Sequence, residues 1–249
     1  MHQRNEFISI IIPAFNESAR ILPSLRKLDE YLRDHFRDFE LIVVNDGSSD
    51  NTEDVVLRAN EEMPSINYSG YKENKGKGYA IRQGVALSTG DILLVSDADL
   101  STPIEEVEKL LVPYDDGCHV VIGSRGLDAS SIMVRQPWWR EFMGKIFNRI
   151  VRMLLLKGFK DTQCGFKLFN GSIGRELFRE TTIDRFAYDV EILYLAVKAG
   201  YKVKEVPVKW LNSPESTVRP IKDSFQMAKD LVRIRLRKGG LKKDDRTSG

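Results

Sequence analysis

Asp91-Ile92-Leu93-Leu94-Val95-Ser96-Asp97-Ala98-Asp99-Leu100-Ser101 is the stretch on which the fold turns. Ile92 to Val95 is a short unbroken apolar run between turn formers, the pattern of a strand buried on both faces. Such a strand belongs in a parallel sheet, and its carboxyl end is where open α/β sheets bind ligands. Two carboxylates, Asp97 and Asp99, stand there with only Ala98 between them. Hard oxygen ligands in that place suit Mg²⁺ or Mn²⁺, which keep few protein ligands and complete their shell with phosphate oxygens and water. An isolated D-x-D is more often a capping aspartate beside a solvated one. The neighbouring segments therefore decide the matter.

Working outward, Phe7 to Ile12 is a β-branched run stopped by Pro13, a first buried strand. Pro13 to Glu17 is the loop at its carboxyl end, and Asn16 or Ser18 is placed to cap a helix running to about Phe36. Leu41 to Val44 is a second strand, leading into Asn45-Asp46-Gly47-Ser48-Ser49-Asp50, after which Ser49 or Asp50 caps a helix over Thr52 to Glu62. Ile66 to Tyr71 is a weaker strand, and the basic turn Asn74-Lys75-Gly76-Lys77-Gly78 opens a helix to Leu87. Strands and helices alternating with short connections predict a mostly parallel, doubly wound α/β sheet with helices on both faces. The loops after the first, second and fourth strands then meet at one edge as an acidic crevice. Neither G-x-G-x-x-G after the first strand nor G-x-x-x-x-G-K-[ST] occurs, which disfavours a dinucleotide dehydrogenase or a P-loop NTPase.

The 249 residues, 42% hydrophobic and 30% charged, describe an ordinary globular chain with enough apolar material for a core. Cys118 and Cys164 are too few for a disulfide framework or a zinc site and read as reduced packing residues. The N-terminus shows no signal-peptide pattern, and no run approaches the 18 apolar residues of a membrane span, so a cytoplasmic protein is expected. The polar end, Lys242 to Gly249, reads as disordered. Basic patches without a nucleic-acid-binding motif do not argue for a nucleic-acid partner.

Several motifs in order resemble a known family. Ile10-Ile11-Ile12-Pro13-Ala14-Phe15-Asn16-Glu17, Val44-Asn45-Asp46-Gly47-Ser48-Ser49-Asp50-Asn51-Thr52, Asn74 to Gly78 and Ser96 to Ser101 look like the inverting family 2 glycosyltransferases of GT-A fold. In the second half, Gly123-Ser124-Arg125, Asp161 to Leu168, Arg185 to Tyr194 and Asp230 to Arg235 resemble the dolichyl-phosphate β-glucosyltransferases, and more distantly the dolichol-phosphate mannosyltransferases. The likeness runs over about residues 6 to 238.

The resemblance implies one GT-A domain over 1–238, with a nucleotide-sugar half (6–125), an acceptor half (126–238) and a tail (239–249). It implies that Asp97 and Asp99 bind Mg²⁺ or Mn²⁺ against the diphosphate of a UDP-sugar. Pro13, Ala14, Asn16 and Glu17 match the nucleoside loop, with Glu17 toward the ribose. Asp46 matches the residue that reads the base edge, Lys77 lies near the base or diphosphate, and Ala98 lines the donor site. Arg125 and Arg140, with Arg135 as a rival to Arg140, match positions that hold the acceptor phosphate in relatives; the guanidinium fork suits that group. Arg219, in the Asn212-to-Pro220 loop, matches a basic residue on a mobile lid.

The expected reaction is inverting transfer of a hexose, glucose first, to a polyprenyl or dolichyl phosphate. A phosphate acceptor arrives ionised and needs no base, whereas a sugar hydroxyl would need one, for which Asp189 is the candidate. Two alternatives stand beside it: the same fold with a hydroxyl acceptor, and a non-catalytic nucleotide-sugar-binding protein, against which the acidic pair argues. Residues 138–158 carry Phe142, Ile146, Ile150, Met153 and Leu154 at helical spacing, interleaved with Arg140, Lys145, Arg149, Arg152 and Lys157. Phe147, Val151, Leu155 and Leu156 widen that apolar face, so a basic amphipathic helix on an anionic membrane surface is expected. The helix from about Ser224 to Arg237 ends in a second basic patch. Peripheral attachment to the cytoplasmic face of a membrane follows, with a homo-oligomer or a membrane-protein partner left open.

Overall fold

The computed structural model describes residues 3–127, 131–132, 148–211 and 220–237. Its central strands are β1 (Ile8–Ala14) and β4 (Ile92–Val95), paired in parallel from Ile8 opposite Ile92 to Ile11 opposite Val95. β2 (Phe39–Asp46) pairs with the other side of β1, and β3 (Ile66–Tyr71) lies outside β2, both parallel. Beyond β4 the direction changes. β7 (Lys167–Asn170) runs antiparallel to β4 and to β5 (Val120–Ser124), and β8 (Val203–Pro207) finishes the sheet parallel to β5. The order is β3-β2-β1-β4-β7-β5-β8, with β6 (Ser131–Ile132) and β9 (Lys209–Trp210) forming a second, two-stranded sheet.

The unbroken apolar runs are explained by two cores. Ile8, Ile10 and Ile12 of β1, Leu41 and Val43 of β2, and Ile92 and Leu94 of β4 face a core shared with α1 (Ile21–His35), α2 (Thr52–Glu62) and α4 (Val107–Asp115). The alternate residues Ile11, Ile42, Val44, Leu93 and Val95 face a second core. Covering it are α3 (Lys77–Leu87), α5 (residues 148–154), α6 (Gly171–Glu180), α7 (Tyr188–Lys198) and α8 (Pro220–Leu236). A strand with side-chain period two, covered on both faces, has no polar side to show.

Four local expectations are corrected. Pro13 does not stop β1: it pairs opposite Val44 after β4 has ended at the level of Ile11, so its missing N–H interrupts no central ladder. α1 begins at Ile21 with no side-chain cap, because Asn16 and Ser18 bond the β2 loop instead; the carbonyl of Glu17 accepts from the N–H groups of Arg20 and Ile21. α8 starts at Pro220 rather than near Ser224. The helix placed at 138–158 ends at 154, where the N–H groups of Leu155 and Leu156 both return to the Val151 carbonyl. Val151 and Leu156 are buried in the second core rather than widening a surface face. Phe142, Lys145, Ile146 and Phe147 lie outside the described residues.

Gly84 lets α3 lie directly on β1 and β2, since a Cβ there would stand 2.5 Å from the Ile11 Cγ2 and 3.1 Å from the Val44 Cγ2. Gly84→Ala should therefore lower stability by about 1–3 kcal/mol through overpacking, despite alanine's better helix propensity. Urea unfolding measures this; an alanine variant as stable as the parent would show that the helix can lift away without cost.

Candidate active site

The strand order places β1 and β4 side by side where successive connections leave in opposite directions, so their carboxyl ends open a crevice. The β1 loop is stitched to the β2 loop. Asn16, at φ 56°, accepts from the Ser49 N–H at 2.8 Å and donates its own N–H to Ser48 Oγ at 2.9 Å. The N–H of Glu17 donates to Thr52 Oγ1 at 2.8 Å, and the Glu17 carboxylate takes both Nε and Nη2 of Arg20. Pro13 and Ala14 are the last residues of β1, the alanine buried. After β4, Leu100 is held at φ 48°, a left-handed conformation that costs a branched residue of order 1–3 kcal/mol. That turn aims the acidic pair: the N–H of Leu100 returns to the Asp97 carbonyl, and the N–H of Ser101 donates to Asp99 Oδ1 at 3.0 Å.

Asp46, at the end of β2, is 4% exposed, and its carboxylate is fully engaged. It accepts from the Tyr71 hydroxyl, the Asn74 amide and the N–H groups of Lys75 and Gly76, all between 2.8 and 3.1 Å. This fixes the turn before α3, and the first residue of α3, Lys77, puts its Nζ 2.5 Å from Asp97 Oδ1. Burial alone would raise the Asp97 pKa, but Lys77, then Lys167 and Arg125, outweigh it and hold the carboxyl below its ordinary value. Gly165 also packs against Asp97: a Cβ there would press into its Oδ2, so any other residue would displace the carboxylate from its present position.

The donor set suits a divalent cation. Burial lifts the Glu17 carboxyl; Arg20 opposes this, and Asp99 and Asp97 lift it further, so the three carboxylates share one field that a cation would relieve. Among the described residues no group of three or more His, Cys, Asp or Glu side chains converges on one point. Asp97 and Asp99 would thus be the protein ligands, with the rest of the shell left to phosphate oxygens and water.

A family model, "Glycosyl transferase family 2", matches residues 9–178. The chain belongs to glycosyl transferase family 2. A dolichyl-phosphate beta-glucosyltransferase of Dictyostelium discoideum is 37% identical over 247 residues, covering 94% of this chain and 75% of the relative. The proteins of that name from Homo sapiens and Saccharomyces cerevisiae are 34% and 33% identical, over 92% and 94% of this chain and 75% and 76% of theirs. The GT-A fold is shared with glucosyl-3-phosphoglycerate synthase of Mycobacterium tuberculosis, solved with Mn²⁺, UDP-glucose and phosphoglyceric acid (TM-score 0.65, 20% identity, 93% of this chain and 79% of that one). It is shared too with mannosyl-3-phosphoglycerate synthase of Rubrobacter xylanophilus (TM-score 0.67, 18% identity, 95% and 78%).

Two ion pairs, one buried and one part-buried, flank this glycosyltransferase's acidic centre. Arg125, just past β5, gives Nε and Nη2 to Asp161 at 2.6 and 3.0 Å and lies under the Trp210 ring, 5.4 Å from its centroid. Burial pushes Asp161 up, but Arg125 prevails and holds it at about 2. On β7, Lys167 is 1% exposed and donates to both Asp189 and the Cys164 carbonyl. Burial keeps the Asp189 carboxyl above its usual value in spite of Lys167 and Lys77. Lys77, Asp97, Arg125 and Asp189 thus fall in one electrostatic neighbourhood, whereas Arg135, Arg140 and Arg219 lie outside the described residues. Sequence reasoning gave no role to Asp161, Gly165, Lys167 or Trp210. The one signal was Lys167 itself, a lone cation opening the otherwise apolar Phe166-Lys167-Leu168-Phe169.

Because Asp161 titrates at about 2 when folded against 3.8 unperturbed, its contribution is complete above about pH 4 and lost as pH falls toward 2. Asp161→Asn should cost about 2–3 kcal/mol at neutral pH by leaving a part-buried arginine without its carboxylate. The stability gap between variant and parent should narrow by about 2 kcal/mol between pH 5 and pH 2. Urea unfolding across that range reads the gap; a constant gap would mean that Arg125 does not depress Asp161.

Proposed function

We propose that the protein is a hexosyltransferase that moves glucose from UDP-glucose to the phosphate of a dolichyl or other polyprenyl phosphate, inverting the anomeric centre. Likeness to the dolichyl-phosphate beta-glucosyltransferases over more than nine-tenths of the chain supports the donor sugar and the acceptor class. The observation that carries the choice of acceptor is the state of Asp189. A hydroxyl acceptor needs a free carboxylate to take its proton, and this carboxylate is 5% exposed and bound to a buried lysine. A phosphate monoester needs no such group, since its second ionisation falls near pH ~6.

In this reading an acceptor phosphate oxygen attacks the anomeric carbon as the bond to the diphosphate oxygen breaks, and UDP departs with that electron pair. No proton has to be removed. Asp97 and Asp99 would hold a divalent cation, Mg²⁺ or Mn²⁺, which would supply charge neutralisation to the diphosphate. Lys77 keeps the Asp97 carboxylate oriented and adds a cation beside that leaving group. Arg125 has Nε and Nη2 committed to Asp161, so its remaining nitrogen, Nη1, is assigned to the acceptor phosphate. Lys167 and Asp189 hold the floor under Asp97. Glu17 and Asn16, on the rigid β1 loop, are assigned to the ribose and Asp46, through the turn it shapes, to the base. No helix among the described residues is long and apolar enough to cross a membrane. A polyprenyl acceptor brings the protein to a membrane surface, and the free Cys118 and Cys164 fit the reducing, cytoplasmic side.

Incubation with labelled UDP-glucose and a prenyl phosphate should yield a glucosylated lipid in the presence of Mg²⁺ or Mn²⁺ and none in EDTA. Asp99→Asn should cut turnover by roughly 100-fold or more and weaken Mn²⁺ binding measured calorimetrically with UDP, while leaving the melting temperature near that of the parent. Turnover in EDTA equal to that with metal would overturn the metal assignment. The rise of kcat/KM with pH should follow the acceptor phosphate near pH ~6 and persist in Asp189→Asn. Loss of that limb in the variant, with a sugar hydroxyl accepted instead, would make Asp189 the base.

A further inference from the structure

The end of α5, the last turn of α7 and the outer side of α8 form one surface that the transfer reaction does not use. They enclose an open cavity of about 380 Å³ whose walls include Met153, Leu154, Leu155, Phe159, Val197 and Arg235. Met153 is 64% exposed, Leu154 44% and Val197 46%; Val232 (54%) and Leu236 (71%), one turn apart, continue the apolar surface along α8 beside Arg235. Exposed apolar residues scattered singly need no explanation, but a contiguous set marks a contact. Leu57, Leu87, Val112 and Leu211, the other large exposed hydrophobics among the described residues, belong to other elements.

Cations predominate on these helices. Lys157 and Arg235 line the cavity, and Arg152 and Arg233 are exposed on α5 and α8. Of the carboxylates on these helices whose burial is described, Asp189, Glu191 and Asp230 are buried, and Glu191 is tied to Arg237 at 2.9 Å and to the N–H groups of Thr182 and Ile183. A protein partner would be met by mixed charge at the rim. A plane of anionic headgroups above acyl chains matches exposed apolar side chains interleaved with arginine and lysine.

We propose that this three-helix surface docks the protein on an anionic lipid bilayer. The apolar side chains enter the headgroup and acyl boundary, and the arginines and lysine stay among the phosphates, their stems lying along the apolar wall. The purpose of such docking rests on the lipid acceptor proposed above; the contact itself does not. It differs from the helix expected at 138–158, because its residues come from three separate stretches of chain.

The test is sedimentation of the full chain with phosphatidylcholine vesicles, with and without phosphatidylglycerol. The parent should pellet with the anionic vesicles and be released by high salt. Met153→Ser with Leu236→Ser should weaken binding by about tenfold or more, and Arg152→Glu with Arg235→Glu should abolish the preference for phosphatidylglycerol. The second pair removes no buried contact and so guards against a folding artefact. Leu87→Ser with Val112→Ser, equally exposed elsewhere, should bind as the parent does. Transfer to a long-chain acceptor in vesicles should fall with binding, and transfer to a short water-soluble prenyl phosphate should not. A parent that ignores anionic vesicles, or patch variants that pellet like it, would overturn the proposal. So would ultracentrifugation showing a parent dimer that the patch variants dissolve, since the face would then belong to a second copy. If neither prenyl phosphate is a substrate while the vesicle results hold, the acceptor reading fails and the docking surface stands.

Discussion

The Asp97 carboxylate is the point on which the rest of the site depends. It sits at the end of a four-residue strand, packed against a lysine ammonium and a glycine, leaving it little freedom to turn. Its position is inherited through a chain of contacts. Asp46, at the end of β2, gathers the N–H groups of Lys75 and Gly76, and that turn delivers Lys77 to Asp97. Carboxylates two strands apart are thereby referenced to each other through backbone hydrogen bonds, which tolerate less movement than a solvated side chain. The left-handed Leu100 completes the arrangement by turning the chain before Ser101, whose carbonyl accepts from Leu211 and so ties the acidic loop to the end of β9.

The antiparallel β7 explains how the second half of the chain contributes. A parallel strand brings only its carboxyl end to the ligand edge; an antiparallel one brings its beginning. Val95, the last residue of β4, lies opposite Lys167, the first of β7. The segment from Asp161 to Phe166 therefore arrives at the same edge as the acidic pair, carrying Asp161 to Arg125 and Gly165 to Asp97. The Lys167–Asp189 pair is buried on both sides and Asp161 is buried beneath a part-exposed Arg125, so each pair is worth most as a constraint: removing one partner strands a charge, whereas the intact pair adds little net stability.

The first hundred residues were legible because every signal in them is local. The β-branched runs, the glycine turns and the alternation of strand and helix gave the elements of that stretch; α2 and β3 came out to the residue. The D-x-D at a strand end announced the site. What was not legible depends on distance in sequence. Nothing in Lys167-Leu168-Phe169-Asn170 states which way the strand runs, because direction is set by its partners. Arg125 and Asp161 are separated by 36 residues, so neither predicts the other. The stretch 138–158 read as one wide surface because periodicity cannot show that Val151 and Leu156 turn inward while Met153 and Leu154 face out. Asp46 was visible as an acid at a strand end, but its backbone partners at 75 and 76 were not.

The charges at the edge bear on the reaction itself. Lys77, Lys167 and Arg125 face Asp97, Asp99, Asp161 and Asp189, while Glu17 and Arg20 cancel each other. Three cations against four carboxylates leave the described centre short of positive charge, yet the proposed reaction brings two anions to it, a nucleotide diphosphate and a lipid phosphate. Like charges a few ångströms apart in a partly buried site repel by several kcal/mol even at an effective dielectric near 20. The protein's own cations are already bound to its own acids and supply orientation more than surplus charge. Under the proposed function, Asp97 and Asp99 would hold a divalent cation that reverses that balance beside the diphosphate. Under the same proposal the pairing of Asp189 with Lys167 is favourable: an additional naked carboxylate in this site would oppose the approach of a phosphate acceptor, and only a neutral acceptor such as a hydroxyl would gain from it.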